Sequence, residues 1–195
     1  DLGRGLRVSE KLDFGMIGLN RGLVSDPASP FAPVAAHQAT ERAVVATYRE
    51  LARAHPDVPI ALNHVGGLLG LGPYANRAEA FKLWRGHMLT LATCPNVCVK
   101  LGGMGVPRCG FAWHERETPP SSEQLASAFA PYCLETIELF GVQRCMFESN
   151  FPADKCAYSY NVIWNAFKRI ARCCSAEEKS ALFHDTAVNF YRLNA

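Results

Sequence analysis

No C-x-x-C pair and no zinc-ribbon spacing occur among the eight cysteines, Cys94, Cys98, Cys109, Cys133, Cys145, Cys156, Cys173 and Cys174. That excludes the common structural zinc modules. Several of these cysteines lie in apolar strand or helix contexts, where a free thiol behaves as a small hydrophobe. We read them as reduced, in a cytoplasmic protein. There is no block of Lys or Arg, and the net charge is only +2, so nothing points to nucleic acid. No apolar run approaches the length of a membrane span and no signal-peptide pattern is present, so no membrane partner is expected. Internal repeats and low-complexity segments are missing too. The chain opens at Asp1 without a methionine, from which we expect a natural start further upstream.

What is present is a normal globular composition. Hydrophobic residues make up 49% of 195, enough for one domain over 1–195 with a real core. The most informative stretch is Arg144-Cys-Met-Phe-Glu-Ser-Asn-Phe-Pro-Ala-Asp154. Its apolar run Cys145-Met-Phe147 leads directly into Glu148, Ser149 and Asn150, and Pro152 stops the strand. A buried strand that delivers polar groups at its carboxyl end is how α/β barrels and open α/β sheets build active sites. Strand residues two apart share a face, so Glu148 and Asn150 are expected to point the same way. Two other runs have this form. Ile60-Ala-Leu-Asn-His64 is followed by Val65-Gly-Gly67, and Val97-Cys-Val-Lys100 by Leu101-Gly-Gly103. The three strand ends suggest one shared mouth.

Helical patterns separate these strands. Val44, Tyr48 and Leu51 fall at helical spacing, and His55-Pro56 ends that helix. Asn76 can cap a helix with Phe81, Trp84, Met88 and Leu91 on one face. Ser121 with Gln124 makes a capping box for a helix that Pro131 should kink or split. A helix near Tyr160–Arg172 and a last one from Ser175, with Glu178 completing a second capping box, run to about Tyr191. Residues 102–120 form a long loop, of the kind that serves as a lid or binding loop. Residues 20–36 read as loop, and Leu12–Leu19 as a weak strand with two glycines. Alternating strands and helices give an α/β fold with a parallel sheet. A closed eight-stranded barrel takes about 250 residues, so the expected architecture is a TIM-barrel-type incomplete barrel, or a small open sheet. Open edges would invite pairing with a second copy, so a homo-oligomer is a further expectation.

Taken together, Leu62-Asn-His-Val-Gly-Gly67, Asn96-Val-Cys-Val-Lys-Leu-Gly-Gly103, Gly110-Phe-Ala-Trp-His-Glu-Arg116 and Arg144–Lys155 resemble the amidohydrolase-related proteins. More narrowly they resemble the lactonase-like, predicted metal-dependent hydrolases of that group. The resemblance runs from about residue 41 to the end, over the C-terminal part of the family pattern, and residues 1–40 fit poorly. It implies a (β/α)₈ barrel and hydrolysis of lactones, or decarboxylation of small cyclic and aromatic acids. Two departures stand out. The family's His-x-His pair is absent from this sequence, and Asn150 stands where the family commonly has an aspartate. An amide cannot accept a proton at neutral pH. The resemblance therefore implies either a hydrolase acting on a lactone or similar small cyclic ester by water activation, or an inactive truncated paralogue or binding protein.

The candidate residues follow. His64 can polarise a carbonyl, ligate a metal or shuttle a proton; its plain alternative is a structural histidine. Glu148 can activate water, or simply pair with Lys100, whose own functional role would be to hold a substrate carboxylate or oxyanion. Asn150 can donate hydrogen bonds to substrate or tie down its loop. Asp154 is a second carboxylate candidate, at the substrate or as a cap. Trp113, His114 and Arg116 can cover the mouth of a small-molecule site, or form an ordinary solvated loop. A divalent metal, zinc or manganese, would have only His64, Glu148 and Asp154 as ligands. Phe81, Trp84, Trp164 and Phe167 read as helix faces packed on the sheet.

Overall fold

The computed structural model describes residues 37–193. The Leu12–Leu19 strand and the 20–36 loop lie outside the described residues. The chain divides into two compact units, 1–50 and 51–195. Helix α1, His37–Ala54, begins in the first and ends just before the pre-proline residue His55, whose backbone disfavours the helical region.

Three parallel strands follow: β1 Ile60–Leu62, β2 Val97–Leu101 and β3 Cys145–Phe147, in the order β1-β2-β3. Ile60 pairs with Val97, and Val99 with Cys145. Val97, Val99 and Leu101 are buried while Cys98 and Lys100 are half-buried, the period-two alternation of a strand with one face in the core. Helices α2 (Arg77–Ala92), α3 (Ser122–Phe140) and α4 (Tyr160–Ile170) connect and flank the sheet. This is the α/β partial barrel that the patterning predicts.

Caps form where the sequence places them. Asn76 accepts from the Glu79 N–H, and both capping boxes, Ser121 with Gln124 and Ser175 with Glu178, are complete. Of the kink or split expected at Pro131, the split does not occur. The helix runs unbroken, with Phe129, Tyr132 and Cys133 buried around the proline. Each such large buried side chain contributes about 1.5–3 kcal/mol, enough to offset one missing N–H. The last helix does divide. Helix α5 (Ala176–Ser180) passes through a π turn, Ala181–Asp185, into α6 (Thr186–Tyr191). Among the described residues no helix is long and apolar enough to cross a membrane.

The two ends of the sheet differ. At the amino end, the Arg144 guanidinium donates to Phe140 O and Cys94 O, both at 2.9 Å, and to Ala92 O at 3.3 Å. This staples the ends of α2 and α3 beneath β3. In barrels this end carries stability and the carboxyl end carries chemistry.

Candidate active site at the carboxyl end of the sheet

After β1 the chain enters an unusual turn. His64 and Val65 have φ of +56° and +46°, and Gly66 and Gly67 continue in the same left-handed region. Glycine adopts that region freely, but a histidine and a β-branched valine cost about 1–3 kcal/mol each there. The turn is held from within by Gly66 N–H to Asn63 O (3.0 Å) and Gly67 N–H to His64 O (2.8 Å). It is held from outside by His64 N–H to Glu148 Oε1 (3.1 Å) and by the Trp84 indole N–H to Val65 O (2.8 Å). Backbone strain of this kind persists only where surroundings over-determine it, and it clusters at functional sites.

Glu148 sits one step past β3, where its N–H still bonds Leu101 O at 3.2 Å. That ladder step fixes its backbone at the sheet's end. Its Oε1 lies 2.5 Å from His64 Nδ1, and its Oε2 lies 3.9 Å from Lys100 Nζ. An ionised carboxylate only accepts, so the ring donates from Nδ1 and leaves the Nε2 lone pair free to take a proton. The side chains of His64 and Glu148 are 27% and 16% exposed, shielded yet reachable. The glycines after β2 make room for this pair. A Cβ on Gly103, whose φ is +66°, would overlap the His64 ring, and one on Gly102 would overlap the Glu148 carbonyl. The structure thus brings His64, Lys100 and Glu148 together.

Asn150 takes the second of its two expected roles, tying down its loop, but it does so from an unexpected orientation. Asn150 does not share the Glu148 strand face, because β3 ends at Phe147 and Asn150 itself has φ +53°. Extended alternation stops there. Its Nδ2 instead donates to Asp154 Oδ1 at 2.7 Å. Asp154 is not presented to a substrate either, being 0% exposed. Its Oδ2 accepts from Tyr158 OH (2.5 Å) and from Gly105 N–H (3.1 Å). Burial pushes its pKa up, opposed by the bonds from Tyr158, Asn150 and Gly105 and by the nearby His64 charge. Burial, and then Asp154, push the Tyr158 phenol up in turn.

The 102–120 loop is anchored at Trp113, and residues 114–119 beyond it, with His114 and Arg116, are exposed, the solvated alternative for those two. Trp113 is only 7% exposed and stacks on Phe111 at 6.1 Å. The Arg116 guanidinium lies 4.4 Å over Trp113 and that of Arg77 lies 4.1 Å over Phe111. His114 Nε2 lies 3.5 Å from Glu115 Oε1. Among the described residues, no hydrogen bond or ion pair joins Trp113, His114 or Arg116 to the His64–Glu148 pair.

A family profile described as Amidohydrolase matches residues 24–193. The chain belongs to the amidohydrolase family. It is 44% identical over 146 residues to the uncharacterised protein y4mH of Sinorhizobium fredii, covering 75% of this chain and 43% of that protein. It is 29% identical over 136 residues to L-fucono-1,5-lactonase of Burkholderia multivorans, covering 69% of this chain and 43% of that enzyme. A 31-residue match, 55% identical, to a succinate semialdehyde dehydrogenase of Acinetobacter baylyi covers 16% of this chain and 6% of that protein, too little to show a second family. Among solved structures, a Burkholderia multivorans amidohydrolase with bound zinc matches at TM-score 0.64 and 26% identity, over 76% of this chain and 49% of that one. The chain thus spans less than half the length of y4mH, of the lactonase and of the zinc-bound structure.

That zinc-bound relative raises the question of whether this amidohydrolase's own residues fit a metal. Among the described residues, no group of three or more His, Cys, Asp or Glu side chains is placed to hold one. With its Nδ1–H held by Glu148 Oε1, His64 offers Nε2 as one ligand, while Asp154 is 0% exposed and already accepts from three donors. A catalytic zinc takes three protein ligands plus water, so this donor set does not fit it, and no step below passes through a metal.

Proposed function

We propose that this amidohydrolase chain carries the water-activating pair of a hydrolase acting on a lactone or a similar small cyclic ester. The observation that supports this most directly is the 2.5 Å contact between Glu148 Oε1 and His64 Nδ1. With Nδ1–H committed to the carboxylate, Nε2 is the basic nitrogen. It takes a proton from water as the hydroxyl oxygen bonds to the ester carbonyl carbon. The ring C–O bond then breaks, and Nε2 returns the proton to the leaving alkoxide. Glu148 stabilises the imidazolium formed in between. The Lys100 cation, half-buried beside Glu148, is suited to an anionic group on the substrate. The similarity to a lactonase points to the same substrate class.

The experiment is hydrolysis of a panel of sugar and small aliphatic lactones by the purified chain, with and without chelator and added zinc or manganese. His64→Ala and Glu148→Ala should each lower turnover by about 10²–10⁴-fold with unchanged far-ultraviolet dichroism. Full activity in both variants defeats the proposal, and loss of activity on chelation would return a metal to the site.

A second reading has one observation in its favour. The described residues gather no group of three ligands. A non-catalytic paralogue would bind a lactone in calorimetry and never turn it over.

A further inference from the structure

Sequence periodicity assigns Trp84 to the buried face of α2, and its ring does pack there. It lies 5.2 Å from Phe81 and 5.0 Å from Tyr132, centroid to centroid. Packing alone leaves the indole N–H unexplained. That N–H reaches across to the Val65 carbonyl at 2.8 Å, in a buried bond. Val65 is the residue least suited to its own backbone: a β-branched side chain at φ +46°, with 0% exposure. It directly follows His64, itself at φ +56°.

Without an external hold, a turn with two consecutive left-handed non-glycine residues relaxes toward ordinary φ. Relaxation swings the His64 N–H and ring away from Glu148, because both bonds to Oε1 depend on the backbone of residue 64. The described contacts hold the turn from two sides, Glu148 from β3 and Trp84 from α2. Glu148 cannot position His64 by itself, since its hold is the very contact to be positioned.

We propose that Trp84 is a positioning residue for His64: its indole N–H clamps the Val65 carbonyl and so fixes the strained turn that presents the imidazole to Glu148. This deepens the reading of the His64–Glu148 pair, and its test needs no turnover. The full chain is labelled with ring-¹⁵N histidine, and the His64 resonances are assigned by their loss in His64→Ala. At a pH where the ring is neutral, the wild type should show the Nδ1–H tautomer. Trp84→Phe keeps an aromatic ring and removes the donor, and should shift His64 toward the Nε2–H form that free imidazole prefers. Trp164→Phe is the matched control. The Trp164 indole N–H is buried with no hydrogen-bond partner among the described residues, so its removal breaks no bond and should leave the pattern of the wild type.

An unchanged His64 pattern in folded Trp84→Phe overturns the proposal, as does an equal change in Trp164→Phe. Should Trp84→Phe not fold, benzothienylalanine at position 84 keeps the outline of the indole and lacks only the N–H, and is read in the same way. With a lactone that is turned over, Trp84→Phe should lower kcat by about 10–100-fold with KM little changed, since misplacement costs rate more than binding. Absence of turnover in the wild type would defeat the hydrolase reading and leave the tautomer result standing.

Discussion

Asn150 donates its side-chain amide to the buried carboxylate of Asp154 at 2.7 Å. The residue that stands where the resemblance implies an aspartate is therefore employed in this chain, as one donor to a buried acid. Tyr158 and Gly105 complete the set, and together they tie the loops after β2 and β3 to the start of α4.

An aspartate at position 150 should consequently do harm. Asn150→Asp sets a second carboxylate against Asp154, and two acids at that distance cannot both ionise. We expect a loss of about 1–3 kcal/mol at neutral pH, a Tm fall of roughly 2–12 °C for a chain of this size. The deficit should shrink on acidification as the pair takes up a shared proton. Equal melting of variant and wild type at neutral pH would remove the assigned role of Asn150.

Asp154 itself should shape stability against pH. Burial raises its pKa above the ordinary aspartate value of 3.8. Between 3.8 and that raised value the folded chain holds the proton more often than the unfolded chain does. Stability therefore falls as pH rises through this window. Asp154→Asn resembles the protonated acid and cannot titrate, so its denaturation midpoint should vary less across the window. Parallel curves for variant and wild type would show that another group carries the dependence.

Much of this arrangement is legible in the sequence, for identifiable reasons. Apolar runs ending in His64, Lys100 and Glu148 are short-range signals, and a parallel sheet sends all its carboxyl ends to one side. Those three residues accordingly meet. Pairing of Lys100 with Glu148 follows from the need of a charge in an apolar strand for a partner. The loop-tying role of Asn150 is open in the sequence, but its orientation escapes because a left-handed backbone cannot be read from strand alternation. Asp154 escapes because it lies beyond Pro152, where spacing says nothing about burial. Helical periodicity places Trp84 on a face without saying what its N–H will reach.

Two glycine substitutions should have opposite signs. Gly103 has φ +66°, and a Cβ there would overlap the His64 ring. Gly103→Ala should cost about 1–3 kcal/mol in backbone strain and pull His64 from Glu148. Gly86 lies inside α2 with nothing within 4 Å of an added Cβ. Gly86→Ala should gain about 0.5–1 kcal/mol from helix propensity. Chemical denaturation of both variants measures the contrast, and a Gly103→Ala as stable as Gly86→Ala would mean that the glycine is no seat for His64.

The cysteines offer a count with a sequence of events. All eight are free. Cys156 and Cys173 are exposed, Cys98 and Cys174 are half-buried, and Cys94, Cys109, Cys133 and Cys145 are buried. Burial pushes the Cys109 thiol up to about 11 and that of Cys145 to about 12, and raises Cys133 as well. Only the thiolate attacks a disulfide reagent, so access and ionisation act in the same direction. In the native chain two thiols should react first, with Cys174 and Cys98 slower and the buried four silent until the fold opens. Denaturant without reductant should then release all eight. A total of six would reveal a disulfide between two of these residues. Four or more fast thiols in the native state would mean that the packing around β3 and α3, where Cys133 and Cys145 sit, opens far more readily than their burial implies.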